Sequence, residues 1–151
     1  METEDPLVFE RFVLWLYTNQ IIDETLGYGF NIIIDLWLFA DRRGIPLLMN
    51  DMIDAFHAEI GYRWVIPTKC IDKIYENTIE KSALRRMFIW SVSHITGENM
   101  FKGDHADRWP REALLDMLRA VLSKQTPVLL SKKEYKMASM CPAYHVHEEG
   151  V

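Results

Sequence analysis

Residues 31–60 read NIIIDLWLFADRRGIPLLMNDMIDAFHAEI, which is the pattern of two helices separated by a stop signal. Two arginines end the first pattern, where the last carbonyl groups of a helix carry partial negative charge. Gly44 follows them and suits a left-handed cap, and Pro46 cannot continue the first helix but can begin the next. The spacing therefore predicts one helix over residues 31–43 and another over residues 46–60.

The same signals extend in both directions from this stretch. Asp5 is a typical N-cap residue and Pro6 a typical first-turn residue, so a helix is expected from there to about Thr18. Downstream, apolar residues at helical spacing predict three more helices, which follow Thr68, Ser82 and Pro110. The last of these carries Leu114, Leu115, Leu118, Val121 and Leu122. We therefore expect an all-α chain of about six helices.

Composition excludes several classes of protein. The chain has 151 residues, with 17 Lys and Arg against 22 Asp and Glu, so its net charge is −5 at pH 7. An acidic balance argues against nucleic-acid binding, which needs basic residues gathered on one face. No apolar stretch is long enough for a membrane span. The two cysteines lie far apart, and with no signal peptide they favour an intracellular protein, in cytoplasm or nucleus, with reduced thiols.

The motifs of common enzyme classes are missing from the sequence. It contains no Gly-x-Ser-x-Gly, and Gly27-x-Gly29 lacks the third glycine of a dinucleotide-binding loop. Cys70 fits the apolar side of its predicted helix, where a thiol is buried and unreactive. Because no nucleophile, base and acid can be assembled, we expect a protein that is not an enzyme and has no cofactor.

One grouping of metal-type residues lies near the C-terminus, at Cys141, His145 and His147. Thiolate and imidazole are ligands that zinc prefers, and alternate residues of an extended segment project to the same side. A closed zinc site needs four ligands, and Cys70 would have to supply the fourth. Two interpretations stay open: a small zinc-binding regulatory protein, and a flexible tail with exposed histidines.

Two of the predicted helices are apolar on almost every side. Residues 7–17 and 32–40 carry few polar side chains, and helices of that kind need protein on more than one side. We therefore expect an exposed apolar patch on these helices, of the size that marks an interaction site.

Two motifs in this part of the chain resemble the C-terminal half of a BTB/POZ domain, in the variant abundant in filamentous fungi. They are Asp5-Pro6-x-x-Phe9-x-x-Phe12-x-x-Trp15-Leu16-Tyr17-Thr18 and Leu36-x-x-Phe39-Ala40-Asp41-x-x-x-Ile45-Pro46-x-Leu48-x-Asn50. The later Tyr75-Glu76-Asn77-Thr78 and Trp109-Pro110-x-Glu112 resemble the helical extension of those proteins. The N-terminal strands of a BTB fold have no counterpart in this sequence.

The resemblance implies partial BTB/POZ-like helices over 1–60, a helical extension over 61–126 and, where periodicity is lost, a weakly ordered tail over 127–151. It also implies a protein–protein interaction module, an adaptor in ubiquitin-ligase or transcriptional complexes. The partner would be a cullin-type scaffold or a second copy of the chain. Aromatic residues dominate interaction hot spots, so the candidate anchors are Phe12, Trp15, Tyr17 and Trp37. The alternative stays open that these residues belong to the core, because aromatic residues at helical spacing are more often packed inside than exposed.

Arg85 and Arg86 have two interpretations. Charged side chains three or four positions apart on a helix usually interact, so these arginines could pair with Glu76 or Glu80 across a helix junction. They could instead lie on a partner surface. The spacing favours the structural role.

Overall fold

The computed structural model describes residues 4–19, 29–95, 98–123 and 129–146. Within these ranges it has eight α-helices and no β-strand, so the all-α prediction is confirmed. None of these helices is long and apolar enough to cross a bilayer. The helices are α1 (Pro6–Thr18), α2 (Phe30–Arg43), α3 (Pro46–Arg63), α4 (Ile71–Asn77), α5 (Ala83–Ile95), α6 (Arg111–Ser123), α7 (Lys132–Met137) and α8 (Cys141–Tyr144).

The helix ends predicted from local sequence signals are confirmed. The Asp5 carboxylate accepts a hydrogen bond from the Leu7 backbone N–H at 2.9 Å and so caps α1. Gly44 has φ 65° and ψ 48°, and its N–H bonds to carbonyls at the end of α2. A Cβ is strained in this left-handed conformation, which explains the glycine. Pro46 then opens α3.

The core is built around α2, which is buried on almost every side. Its N-terminal residues, Asp35 and its last turn reach solvent, while α1 and α3 pack against its sides. Phe39 lies 4.9 Å from the Phe12 ring of α1, and Phe30 lies 5.4 Å from the Phe56 ring of α3, between ring centroids. Burial on this scale is the main source of folding free energy. The buried residues of α2 are Ile33, Ile34, Leu36, Trp37, Leu38, Phe39 and Ala40.

The C-terminal segment, residues 129–146, packs onto this helical core, which differs from the weakly ordered tail expected over 127–151. Tyr135 of α7 is fully buried, and its hydroxyl lies 2.9 Å from the Ser91 hydroxyl. Its ring stacks on Trp90 at 5.4 Å and lies 4.5 Å from His57. Tyr135 and Met140 are the buried side chains among those described in the segment, and two buried residues five positions apart leave no periodic pattern in the sequence. The division of the chain at residues 60 and 126 stays a prediction.

Backbone contacts hold the same segment at several further points. The Asn50 side chain donates to the Val146 carbonyl at 2.8 Å and accepts from the Val146 N–H at 2.6 Å. The Arg86 guanidinium donates to the Ala143 carbonyl at 2.6 Å. The Leu130 N–H donates to the last turn of α5. These bonds tie the backbone of the segment to α3 and α5.

Removing the aromatic anchor tests this packing. We expect Tyr135→Ala to lower the free energy of unfolding by about 3–5 kcal/mol, the usual cost of replacing a buried aromatic residue by alanine. Tyr17→Ala, at a tyrosine that is 86% exposed, is the matched control and should change it by less than about 0.5 kcal/mol. Urea denaturation followed by tryptophan fluorescence measures both. Equal stability of the two variants would contradict the packing.

The buried histidine beside this anchor predicts a pH dependence. Burial lowers the pKa of His57 below its ordinary value of 6.5, against the opposing effects of its hydrogen bond to the Tyr135 carbonyl and of the Asp54 charge. As the pH drops through about 6.5, His57 therefore takes up a proton in the unfolded chain before it does so in the folded chain, and the free energy of unfolding falls.

We expect the urea midpoint to fall between about pH 7 and pH 5, and to fall less in His57→Gln, which keeps a donor for the carbonyl. The comparison is made at matched ionic strength. If the urea midpoints of both proteins fall equally over this range, the buried neutral histidine is not the cause of the pH dependence.

Candidate docking surface

The four predicted anchors lie in different environments. Trp37 is 2% exposed and belongs to the core. Trp15 is also buried, and its indole N–H donates to the Asp51 carboxylate at 2.7 Å. Phe12 is half-buried against α2, whereas Tyr17 is open to solvent. Three of the four predicted anchors therefore pack within the protein, and the four residues do not form a shared surface.

The exposed apolar patch expected on residues 7–17 and 32–40 is present on only one of these two helices. On α1, Leu7, Phe9, Leu16 and Tyr17 are exposed. Of these, Phe9 and Leu16 are seven positions apart and so share one side of the helix. On α2 no large apolar residue is exposed, because α1, α3 and the rest of the core cover it.

A second apolar surface lies on α6, at residues that were not among the predicted anchors. Five aliphatic side chains of this helix are between 38% and 76% exposed, and their spacing of three and four places them on one side. The spacing of these aliphatic residues predicts the helix correctly. The side of the helix that packs inward, however, carries Ala113 and Met117 and not these aliphatic residues. We call the exposed residues the α6 apolar face: Leu114, Leu115, Leu118, Val121 and Leu122.

The orientation of α6 follows from a buried arginine in α5. The Arg85 side chain donates to the Glu112 carboxylate of α6 at 2.8 Å, to the Thr78 hydroxyl at 2.7 Å and to the Tyr75 carbonyl at 2.8 Å. It also bonds to the Thr78 carbonyl, and its guanidinium lies 4.4 Å from the Tyr75 ring centroid. The structural interpretation of Arg85 is thus confirmed, although its carboxylate partner is Glu112 and not Glu76 or Glu80.

A second bond fixes the same side of α6. The Tyr75 hydroxyl of α4 donates to the Asp116 carboxylate at 2.8 Å. Burial first, and then this hydrogen bond, raise the pKa of Tyr75 far above its usual value, so the phenol keeps its proton. Glu112 and Asp116 are four positions apart and lie on one side of the helix. Because both are bound to neighbouring helices, α6 cannot turn its apolar face inward without breaking them.

The predicted metal ligands are described only in part. The His145 ring nitrogen Nε2 lies 2.7 Å from the Asp54 carboxylate. The Cys141 side chain and the whole of His147 fall outside the described residues. Cys70 is buried, burial raises its pKa, and its thiol donates to the Asn31 side chain at 3.6 Å. Among the described residues no three His, Cys, Asp or Glu side chains group together, and the zinc interpretation stays a prediction.

Comparisons of this chain with protein-family models, with curated proteins and with solved structures found no match. The resemblance to BTB/POZ domains therefore stays a prediction, as do the adaptor role and the intracellular location. The feature that bears on function is the exposed aliphatic side of α6.

Breaking the Arg85 contacts tests how α6 is held. We expect Arg85→Met to cost about 1–3 kcal/mol of unfolding free energy, because the buried Tyr75 carbonyl loses its donor. The matched control is Arg42→Met, since Arg42 also pairs with a glutamate, Glu4, at 2.8 Å, but on the surface. That pair should contribute less than about 1 kcal/mol. A loss in Arg85→Met no larger than the control's would show that this contact does not hold α6.

Proposed function

We propose that this chain is a non-enzymatic protein-interaction module whose α6 apolar face binds an amphipathic helix of another protein. One observation carries the proposal: five neighbouring aliphatic side chains of a single helix are exposed together. Their combined exposed area is on the order of a few hundred Å2, which is the size of the largest apolar patch on a typical soluble monomer, and such a patch is often functional.

The shape of the α6 apolar face suits a helical partner. The face runs from Leu114 to Leu122, which is about 12 Å along the helix axis. An amphipathic helix with apolar residues at positions i, i+3, i+4 and i+7 covers that length with two turns. The contacts of Arg85 and Tyr75 hold α6 in place before any partner arrives, so little ordering free energy is lost on binding.

Charges beside the face indicate what the partner carries. Arg111 is exposed at the start of α6, and Arg119 is exposed next to Leu118. The nearby carboxylates already have cationic partners, Arg85 for Glu112 and, at 3.7 Å, Arg119 for Asp116. Arg111 is then the charge on this side that has no ion pair within the described residues, so the unbalanced charge is positive. A partner with acidic residues flanking its apolar side would complement it and would associate faster.

The same ion pairs favour a different protein over a second copy of this chain as the partner. In a symmetric dimer each α6 apolar face meets its own copy. Both carboxylates of α6, Glu112 and Asp116, already pair with arginines, so a second copy offers no unpaired carboxylate to Arg111. We therefore propose a different protein with an acidic flank.

The resemblance to BTB/POZ proteins extends this proposal to a partner class. It supports an adaptor that joins a second protein to a cullin-type scaffold, or one that acts in a transcriptional complex. Titration with a purified cullin N-terminal region tests the first role. Binding that Leu118→Glu weakens would support it, and binding that the variant leaves unchanged would place the cullin contact elsewhere.

A designed peptide tests the α6 apolar face directly. The probe is a labelled helix of about 18 residues, five turns, with leucines on one side and glutamates on both flanks. We expect Leu118→Glu to weaken its binding at least about tenfold, because a charge would be buried in the apolar contact. Leu47→Glu is the matched control, since Leu47 is an exposed leucine on another helix, and it should leave binding unchanged. Fluorescence anisotropy measures both.

Three outcomes would contradict the proposal. If the peptide fails to bind the unaltered chain, the face is not a docking site for an acidic amphipathic helix. If a peptide with lysine flanks binds equally well, the acidic partner is wrong. If sedimentation shows a dimer that Leu118→Glu dissociates, the face joins two copies of the chain.

A further inference from the structure

A cleft of about 340 Å3 lies between α5, α6 and the C-terminal segment. Its α6 residues include Asp116 and Ala120, which face a different side of the helix from Leu118. The cleft is therefore separate from the α6 apolar face. Its volume is within the range of sites that hold small molecules.

One wall of the cleft is aromatic and apolar. Trp90 of α5 and Tyr144 of α8 both line it, with their ring centroids 6.2 Å apart. Ile89 and Ala120 add aliphatic surface beside them. Tyr144 reaches this position because the C-terminal segment is anchored at Tyr135, so the wall exists only when that segment is packed.

The charge of the cleft is positive although the chain as a whole is acidic. Four basic side chains line it against two acidic ones, a difference of 4 − 2 = +2, in a chain whose net charge is −5. Arg85 is already neutralised by Glu112, and Arg119 lies 3.7 Å from Asp116. Lys81 and Arg86 form no ion pair within the described residues. They are the two cations available to a ligand.

The Arg86 guanidinium is held in position by backbone groups alone. Its Nε donates to the Lys81 carbonyl at 3.0 Å and its Nη1 to the Ala143 carbonyl at 2.6 Å, which leaves Nη2 without a bond in the described part of the chain. It also lies 5.7 Å from the Tyr144 ring centroid. A guanidinium fixed in this way presents its remaining donors to an anion at low entropic cost.

We propose that this cleft binds a small anion, a carboxylate or a phosphate, that is carried on an aromatic or aliphatic group. The anion lies between Arg86 and Lys81, and the attached apolar group packs against Trp90 and Tyr144. Glu80 also lines the cleft and contributes one opposing charge. This site is independent of the proposed partner helix on the α6 apolar face.

The experiment titrates the full chain with phenyl phosphate and with benzoate. The readout is the indole N–H signal of Trp90 by NMR, assigned by its disappearance in Trp90→Phe. Benzyl alcohol tests the apolar group alone, and inorganic phosphate tests the anion alone. We expect both aryl anions to shift the Trp90 signal and to bind at least about tenfold more tightly than either control.

Variants separate the site from general folding. Lys81→Gln removes one cation with no hydrogen bond from its side chain in the described structure, and it should weaken binding about tenfold. Lys69→Gln, at an exposed lysine outside the cleft, should leave binding unchanged. Arg86→Gln should also weaken binding. Because this variant loses the hydrogen bond to the Ala143 carbonyl, its urea midpoint is measured as well.

The relative affinity of the two aryl anions identifies the natural anion as phosphate or carboxylate. No shift with either aryl anion, equal binding of inorganic and phenyl phosphate, or equal weakening by Lys81→Gln and Lys69→Gln would each overturn the site. Leu118→Glu should bind the aryl anions normally. A failure of the partner helix and a failure of this cleft are thereby distinguished.

Discussion

The Arg85 side chain lies buried where α4, α5 and α6 meet, and it donates hydrogen bonds to acceptors on all sides of that junction. A buried charge is costly unless it is paired and fully bonded, and here Glu112 supplies the opposite charge while backbone carbonyls take further donors. The arrangement fixes which side of α6 faces inward, because turning the helix would break these bonds as well as the packing of Ala113 and Met117. Both the α6 apolar face and the neighbouring cleft depend on that constraint.

The cleft also depends on the packing of the C-terminal segment, residues 129–146. Tyr135 fills a pocket between α3 and α5, and Asn50 and Arg86 bond the backbone on its far side. This places Tyr144 beside Trp90 and completes the wall of the cleft. The segment is therefore part of the helical unit, and the cleft is a product of its docking.

Local chemistry made the helices of the first half predictable. The cap at Asp5, the left-handed Gly44 and the opening Pro46 each act within a few residues, so the sequence pattern is sufficient to place them. The orientation of α6 was not predictable in this way, because it depends on pairing over 27 positions between Arg85 and Glu112. One signal was available: Ala113, a small residue between the acidic Glu112 and Asp116, is typical of the side of a helix that packs closely.

The burial of the candidate anchors Trp15 and Trp37 was also not predictable from the sequence, since an aromatic residue at helical spacing suits both a core and a hot spot.

Solvent access to individual leucine methyl groups tests the central claim, that α6 presents its aliphatic residues outward. A soluble paramagnetic probe should broaden the NMR methyl signals of Leu118 and Leu122 strongly and leave those of Leu36, Leu48 and Leu84 sharp. Protection of Leu118 and Leu122 equal to that of the three core leucines would contradict the account.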